Sequence, residues 1–225
     1  MMANQHCLTS KCLPSLEAMQ WLKGEPKDLV HDIRLCVLIQ TNCPGCHRFA
    51  IPTANQLIHD GSAARSRIDV WCLATAFEDF DYNTIDNTRK PLQGELVGAS
   101  RRQLGATAPE IPDMPLAFDI LVDRESADQG WIDAALSITR QNAREQAPSS
   151  IPSDVLESAL RDMGSDILPQ KLAHVFYAAH AQGTPTWILH RASGEILDRC
   201  FGHMSTEDIL KWVQDCRVHF NLPQF

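Results

Sequence analysis

No stretch of this sequence approaches the roughly 18 consecutive apolar residues that a membrane-spanning helix requires. A bilayer span is therefore not expected, and no membrane partner is either. Basic residues are not in excess: 20 Lys and Arg stand against 28 Asp and Glu, and the net charge of −8 repels phosphate backbones. Nucleic acid is excluded as an expected partner. The opening MMANQHCLTSKCLPSLEAMQ lacks a basic segment followed by an apolar one, so no secretory leader is read there and a soluble, cytoplasmic protein is expected. There is no second C-x-x-C and no H-x-x-x-H pair to complete a zinc site in motif form. Internal repeats and low-complexity segments are also lacking.

What remains is a chain of 225 residues with eight cysteines. It is long enough to build a core without covalent staples, so the cysteines are not needed as scaffolding. In a reducing compartment they are thiols, which turns attention to QTNCPGCHRF, residues 40 to 49. Cys43 and Cys46 at C-x-x-C spacing suit a redox dithiol or half of a zinc site, and His47 completes the C-x-x-C-H of haem attachment. The preceding RLCVLIQT, 34 to 41, is an apolar run short enough for a buried strand. Pro44 is favoured at a first helical position, so Cys43 is expected at the N-cap of a helix through HRFAIPTANQLIHD. A thiolate there faces unpaired N–H groups and the positive end of the helix dipole, which lowers its pKa. Cys46 falls one turn further on, deeper and suited to resolve a mixed disulfide. Pro52 is expected to kink the helix.

Downstream, IDVWCLATAF (68 to 77) reads as a second buried strand and EDFDYNTIDNTRKPL as an acidic turn leading to a short helix. The Gly- and Pro-rich LVGASRRQLGATAPEIPDMP reads as loop, and LAFDILVD (116 to 123) as one further strand. WIDAALSITRQNAREQ, SDVLESALRDM and PQKLAHVFYAAHA read as helices separated by Pro and Gly. GTPTWILH and GEILDRCFG form an expected hairpin turning at Ser193 and Gly194, and Ser205 with Asp208 opens a final helix, STEDILKWVQDC.

WLKGEPKDL, VLIQTNCPGC, GTPTWILHRASGEILDRCFG and STEDILKWV, in that order, resemble the thioredoxin superfamily and most closely its redoxin branch of TlpA-like thiol-disulfide proteins. The resemblance covers about two-thirds of the chain and implies an α/β thioredoxin-like fold, a central mixed sheet flanked by helices. A bare fold of that kind needs about half these residues, so a helical insertion of about 124–182 is expected before the cis-proline strand. The remaining expectations are an N-terminal tail over 1–20 and a thioredoxin-like domain over 21–225. The resemblance also implies a cis Pro185 facing the C-x-x-C, with Thr184 offering its backbone to a substrate strand. The chain departs from the pattern in three places. Val37 occupies the strand position where many thioredoxins hold a buried acid, unless Glu78 or another carboxylate supplies one. Asn42 replaces the aromatic that commonly precedes the first cysteine, and Pro52 is one residue further along the helix.

Haem attachment would need an axial partner such as Met114 or Met204, and zinc would need Cys7 and Cys12 folded across to Cys43 and Cys46. A peroxidase of the peroxiredoxin type expects threonine three residues before its cysteine, where Gln40 stands. The expected activity is thiol-disulfide oxidoreduction, with Cys43 as nucleophile, Cys46 as resolving thiol, Thr184 and Pro185 at the substrate, Pro44 and His47 in support, and no metal or cofactor. Its partners are a disulfide-bearing protein or small molecule and an external thiol reductant. The alternative is a binding or scaffold protein on the same fold, with cysteines that are not catalytic or that bind metal. Cys36 and Cys72 read as core residues, Cys200 and Cys216 as half-buried thiols, and His47 as a surface helix residue.

Overall fold

The computed structural model describes residues 12–222. The strands are β1 (Gln20–Lys23), β2 (Ile33–Ile39), β3 (Ile68–Ala74), β4 (Leu116–Phe118), β5 (Leu121–Asp123), β6 (Lys171–Ala173), β7 (Thr186–Arg191) and β8 (Ile196–Phe201). The helices are α1 (Ile51–His59), α2 (Ser62–Arg65), α3 (Ile85–Arg89), α4 (Gly98–Leu104), α5 (Gln129–Gln146), α6 (Ser153–Asp162), α7 (His174–Ala178) and α8 (Thr206–His219). Six strands form one mixed sheet in the order β1-β4-β3-β2-β7-β8. Within it β4, β3 and β2 run parallel, while β1, β7 and β8 join antiparallel.

Both faces of this sheet are covered, which is why β2 from Leu35 and β3 from Val70 read as continuous apolar runs instead of alternating ones. Leu35, Val37 and Ile39 pack with Val70, Cys72 and Ala74 against α1 and α8, through Ala50, Ile51, Ala54, Leu57, Ile209 and Val213. Cys36 and Leu38 point the other way and pack with Trp71, Leu73 and Ile188 against α5 and α7, through Ile132, Ala135, Leu136, Val175 and Phe176. Cys36 and Cys72 are therefore core residues on opposite faces. No helix among the described residues is long and apolar enough to cross a membrane.

The segment 124–182, expected as an insertion, packs into the second of these layers. Residues Trp131 to Ile138 and Leu172 to Ala181 pack on the far face of the sheet and supply much of that layer's buried apolar side chains. Nor is the segment all helix. Lys171–Ala173, expected inside a helix, is β6 and pairs antiparallel with β5. The single strand expected over 116 to 123 is interrupted at Asp119, which leaves the main sheet to bind α7: its carboxylate accepts from Val175 N at 3.0 Å and from Thr75 Oγ1 at 2.8 Å.

Three further differences have local causes. The loop expected over 96 to 115 contains α4, which opens at Gly98 with φ +51°, a conformation that glycine adopts without strain. The described part of the expected N-terminal tail is packed. Leu13 and Met19 are buried, Leu13 N donates to Gly194 O at 2.7 Å, and Cys12 pairs with Glu195 beside the β7–β8 turn. Cys7 lies outside the described residues. The break expected at Pro52 takes the form of a π-helical turn, Cys46–Ala50, in which Ile51 N reaches back to Cys46 O. Pro52 has no N–H and would press on the carbonyl of Arg48 in a regular helix, and the widened turn relieves that contact.

Candidate active site

Chain direction alone brings the dithiol to the carboxyl ends of the parallel strands. β2 ends at Ile39, and the chain turns so that Cys43 N donates to Gln40 O at 3.1 Å and Cys46 N to Cys43 O at 3.2 Å. Helical residues begin at Pro44, where a missing N–H is harmless because the first helical N–H groups have no intrahelical partner. Cys46 N also lies 3.2 Å from Cys43 Sγ, so the amide that closes the first turn is shared between the Cys43 carbonyl and its sulfur. Gly45 borders both halves of the site: a Cβ there would stand 3.9 Å from both Cys43 Sγ and the Pro185 ring, an ordinary contact distance.

The two thiols differ sharply. Cys43 is half-buried and its pKa is lowered to about 7, chiefly by the hydrogen bond from Cys46, against the opposing effect of burial, and then by Thr184 and the amides of Cys46 and Gly45. Cys46 is fully buried, and burial followed by the neighbouring Cys43 pushes its pKa well above the ordinary thiol value. This is the asymmetry expected of an attacking and a resolving thiol. The groups acting on Cys46 are Cys43, the Gln40 amide and Thr184. Glu78, the acid anticipated for this role, is not among them; its carbonyl instead accepts from Gln40 Nε2 at 3.2 Å.

Thr184 and Pro185 arrive from the other side. Their peptide bond is cis, and Thr184 O sits 3.4 Å from Cys43 Sγ. The loop is held by Gly202 N on Pro185 O at 2.8 Å, by Thr186 Oγ1 on Gly183 O at 2.7 Å, and from α5 by Asn142 Nδ2 on Ala181 O at 2.8 Å. Glu145 and Gln182 add a further bond between α5 and the same segment. Helix α5 thus grips the chain just before the loop, and among the described residues no hydrogen bond joins α5 or α6 to Cys43.

His47 corrects the sequence reading. It is not on the surface but fully buried, with Nε2 3.0 Å from Thr41 O and Nδ1 without a partner. Burial lowers its pKa, partly opposed by the Thr41 bond, so it is a neutral residue and supplies no positive charge to the thiolate. Its bond to Thr41 instead braces the approach to the motif. Thr41 O also accepts from Ser100 Oγ at 3.1 Å, and the Thr41 and Thr88 hydroxyls lie 2.8 Å apart.

Sequence reasoning missed the polar frame on that side. Asn42, noted only for replacing an aromatic, donates Nδ2 to Asp79 at 2.6 Å, accepts from Ala99 N at 2.5 Å, and gives its own N–H to Asn83 at 2.9 Å. The available signal was a polar Q-T-N step between an apolar strand and the motif. Cys12, which the zinc reading needs beside Cys43, lies at the opposite end of β2. That strand is 7 residues long, which puts the two cysteines about 20 Å apart. Met114, offered as a haem ligand, is buried in the core.

Comparison with solved structures agrees with this architecture. A thioredoxin-like superfamily protein of known crystal structure matches at a TM-score of 0.51 and 16% identity, covering 91% of this chain and 95% of its own. A thiol-disulfide isomerase from Corynebacterium glutamicum matches at a TM-score of 0.47 and 19% identity, covering 91% of this chain and 94% of its own. No family model matches the chain, and no curated protein does. The fold is thioredoxin-like, with a six-stranded mixed sheet and the C-x-x-C facing a cis-proline loop.

Proposed function

We propose that this protein is a thiol-disulfide oxidoreductase of the redoxin kind, acting through Cys43 and Cys46. The observation that carries the reading is the pairing of a half-exposed thiol of pKa about 7 with a fully buried one of raised pKa, beneath the Thr184-Pro185 loop. The Cys43 thiolate attacks one sulfur of a substrate disulfide; that S–S bond breaks, and the departing sulfur leaves as a thiolate that takes up a proton. Cys46 then loses its proton and attacks Cys43, releasing the second substrate thiol and closing a Cys43–Cys46 disulfide. An external dithiol, itself oxidised to a disulfide, returns both cysteines to thiols. Thr184 and Pro185 border the sulfur that reacts and are the surface a disulfide-bearing protein or small molecule meets.

Reduction of insulin with dithiothreitol as electron source tests this. The parent protein accelerates it, Cys43→Ser abolishes the acceleration, and Cys46→Ser accumulates a mixed disulfide on Cys43. Equal turnover by the parent and Cys43→Ser would instead favour a scaffold protein on the same fold.

A further inference from the structure

Gln40 is buried, at 3% exposure, on the seam between the motif and the Thr184-Pro185 loop. Its backbone serves the motif, for its carbonyl accepts from Cys43 N at 3.1 Å. Its side chain reaches two other segments. Nε2 donates to Glu78 O at 3.2 Å, and a backbone carbonyl can only accept, which fixes the orientation of the amide. Oε1 then faces Thr184 Oγ1 at 3.2 Å, and because an amide oxygen can only accept, the Thr184 hydroxyl is the donor.

The way the loop is fastened gives that bond a purpose. Gly183 is held through its carbonyl by Thr186 Oγ1 at 2.7 Å, and Pro185 through its carbonyl by Gly202 N at 2.8 Å. Thr184, between them, is held through its side chain. It precedes β7, and among the described residues neither its N–H nor its carbonyl has a backbone partner. The carbonyl faces the Cys43 thiol at 3.4 Å. Once Cys43 has given up its proton to attack a disulfide, that contact has no hydrogen to share. Both backbone groups of Thr184 are then open beside the reacting sulfur. An extended polypeptide carries an N–H and a C=O on each residue and can pair with them.

Resting on the dithiol reading above, we propose that Gln40 is a positioning residue for polypeptide substrates: through the Thr184 hydroxyl it holds that residue's N–H and carbonyl where the backbone flanking a substrate disulfide pairs with them. Anchoring by the side chain is what leaves both backbone groups uncommitted. The substrates it favours are disulfides set in extended chain. A disulfide without amides gains nothing from the tether.

The test compares kcat/KM for a linear peptide disulfide with that for hydroxyethyl disulfide, which has no amide, using dithiothreitol as electron source and subtracting the uncatalysed rate. Gln40→Met keeps the length of the side chain and removes the acceptor, while Glu78 O keeps Asn83 Nδ2 at 2.9 Å. The ratio of peptide to hydroxyethyl disulfide should fall about fivefold, the equivalent of one hydrogen bond, and the loss should appear in the peptide KM. Thr184→Val should lower the ratio by a similar factor, Thr184→Ser should keep the parent ratio, and Gln40→Met added to Thr184→Val should lower it no further. Equal slowing of both substrates in Gln40→Met, an unmoved ratio, or a further fall in the double variant overturns the tether. If Gln40→Met does not fold, the Thr184 pair decides: equal ratios for Val and Ser overturn it. Parent turnover with an unmoved ratio in the variants refutes the tether alone, whereas a parent protein that reduces neither disulfide removes the dithiol reading and the tether together.

Discussion

Asp119 is buried between the end of β4 and the start of α7, and burial raises its pKa to about 6 despite bonds from Val175 N, Thr75 Oγ1 and Phe176 N. An unfolded chain would return it to about 3.9, so the folded state holds this proton more tightly by about 2 pKa units, or about 3 kcal/mol. The sign follows directly. Between pH 4 and 6 the folded protein binds more protons than the unfolded one, so stability is highest below about pH 4 and is lost as pH rises through about 6. Asp119→Asn removes the titration while keeping the shape. Its carbonyl still accepts from Val175 N and its NH₂ can donate to the Thr75 hydroxyl, which also accepts, while the long 3.4 Å bond from Phe176 N is lost equally at every pH. Other groups shape the pH dependence of both proteins, so the informative quantity is the difference between them. Urea unfolding followed by tryptophan fluorescence should show the variant gaining about 3 kcal/mol on the parent between pH 4 and 7. A difference independent of pH would refute the claim that Asp119 is buried as a strained carboxylate.

Leu172 is fully buried in the far layer, so Leu172→Ala should destabilise the whole domain by about 2–5 kcal/mol in a single urea transition. A separate early transition for residues 124–182 would show that the insertion is not part of the common core. Gly98 has φ +51°, and a Cβ there would collide with the Asn42 side chain, so Gly98→Ala should break the bond from Ala99 N to Asn42. Slower insulin reduction with a largely retained fold is the expected result, and an unchanged rate would separate the Asn42 frame from the chemistry.

Much of this was legible before any coordinates. The apolar runs around Cys36 and Cys72, the proline after Cys43 and the turn at Ser193-Gly194 each state a local preference that the fold keeps. Where the reading slipped, long-range partners decided. Leu172 and Val175 have helical spacing, but Lys171–Ala173 is drawn into a strand because β5 offers it a ladder. Inside LAFDILVD only Asp119 interrupts the apolar run, and the amides of α7 explain why the chain leaves the sheet there. His47 looks like a solvent-facing residue until Thr41 O, supplied by the end of β2, gives it a reason to be buried. At the site, the cysteines and the GTPT segment were visible as types and spacings. Gln40 was not, because its role depends on Thr184 and Glu78 meeting in space.

The pH dependence of iodoacetamide labelling at each of the eight cysteines tests the central claim most directly. Cys43 should react first, with a midpoint near pH 7, while Cys46, Cys36 and Cys72 stay unlabelled in the folded protein. A Cys43 midpoint at or above the ordinary thiol value of about 8.5, or labelling no faster than that of Cys200, would contradict it.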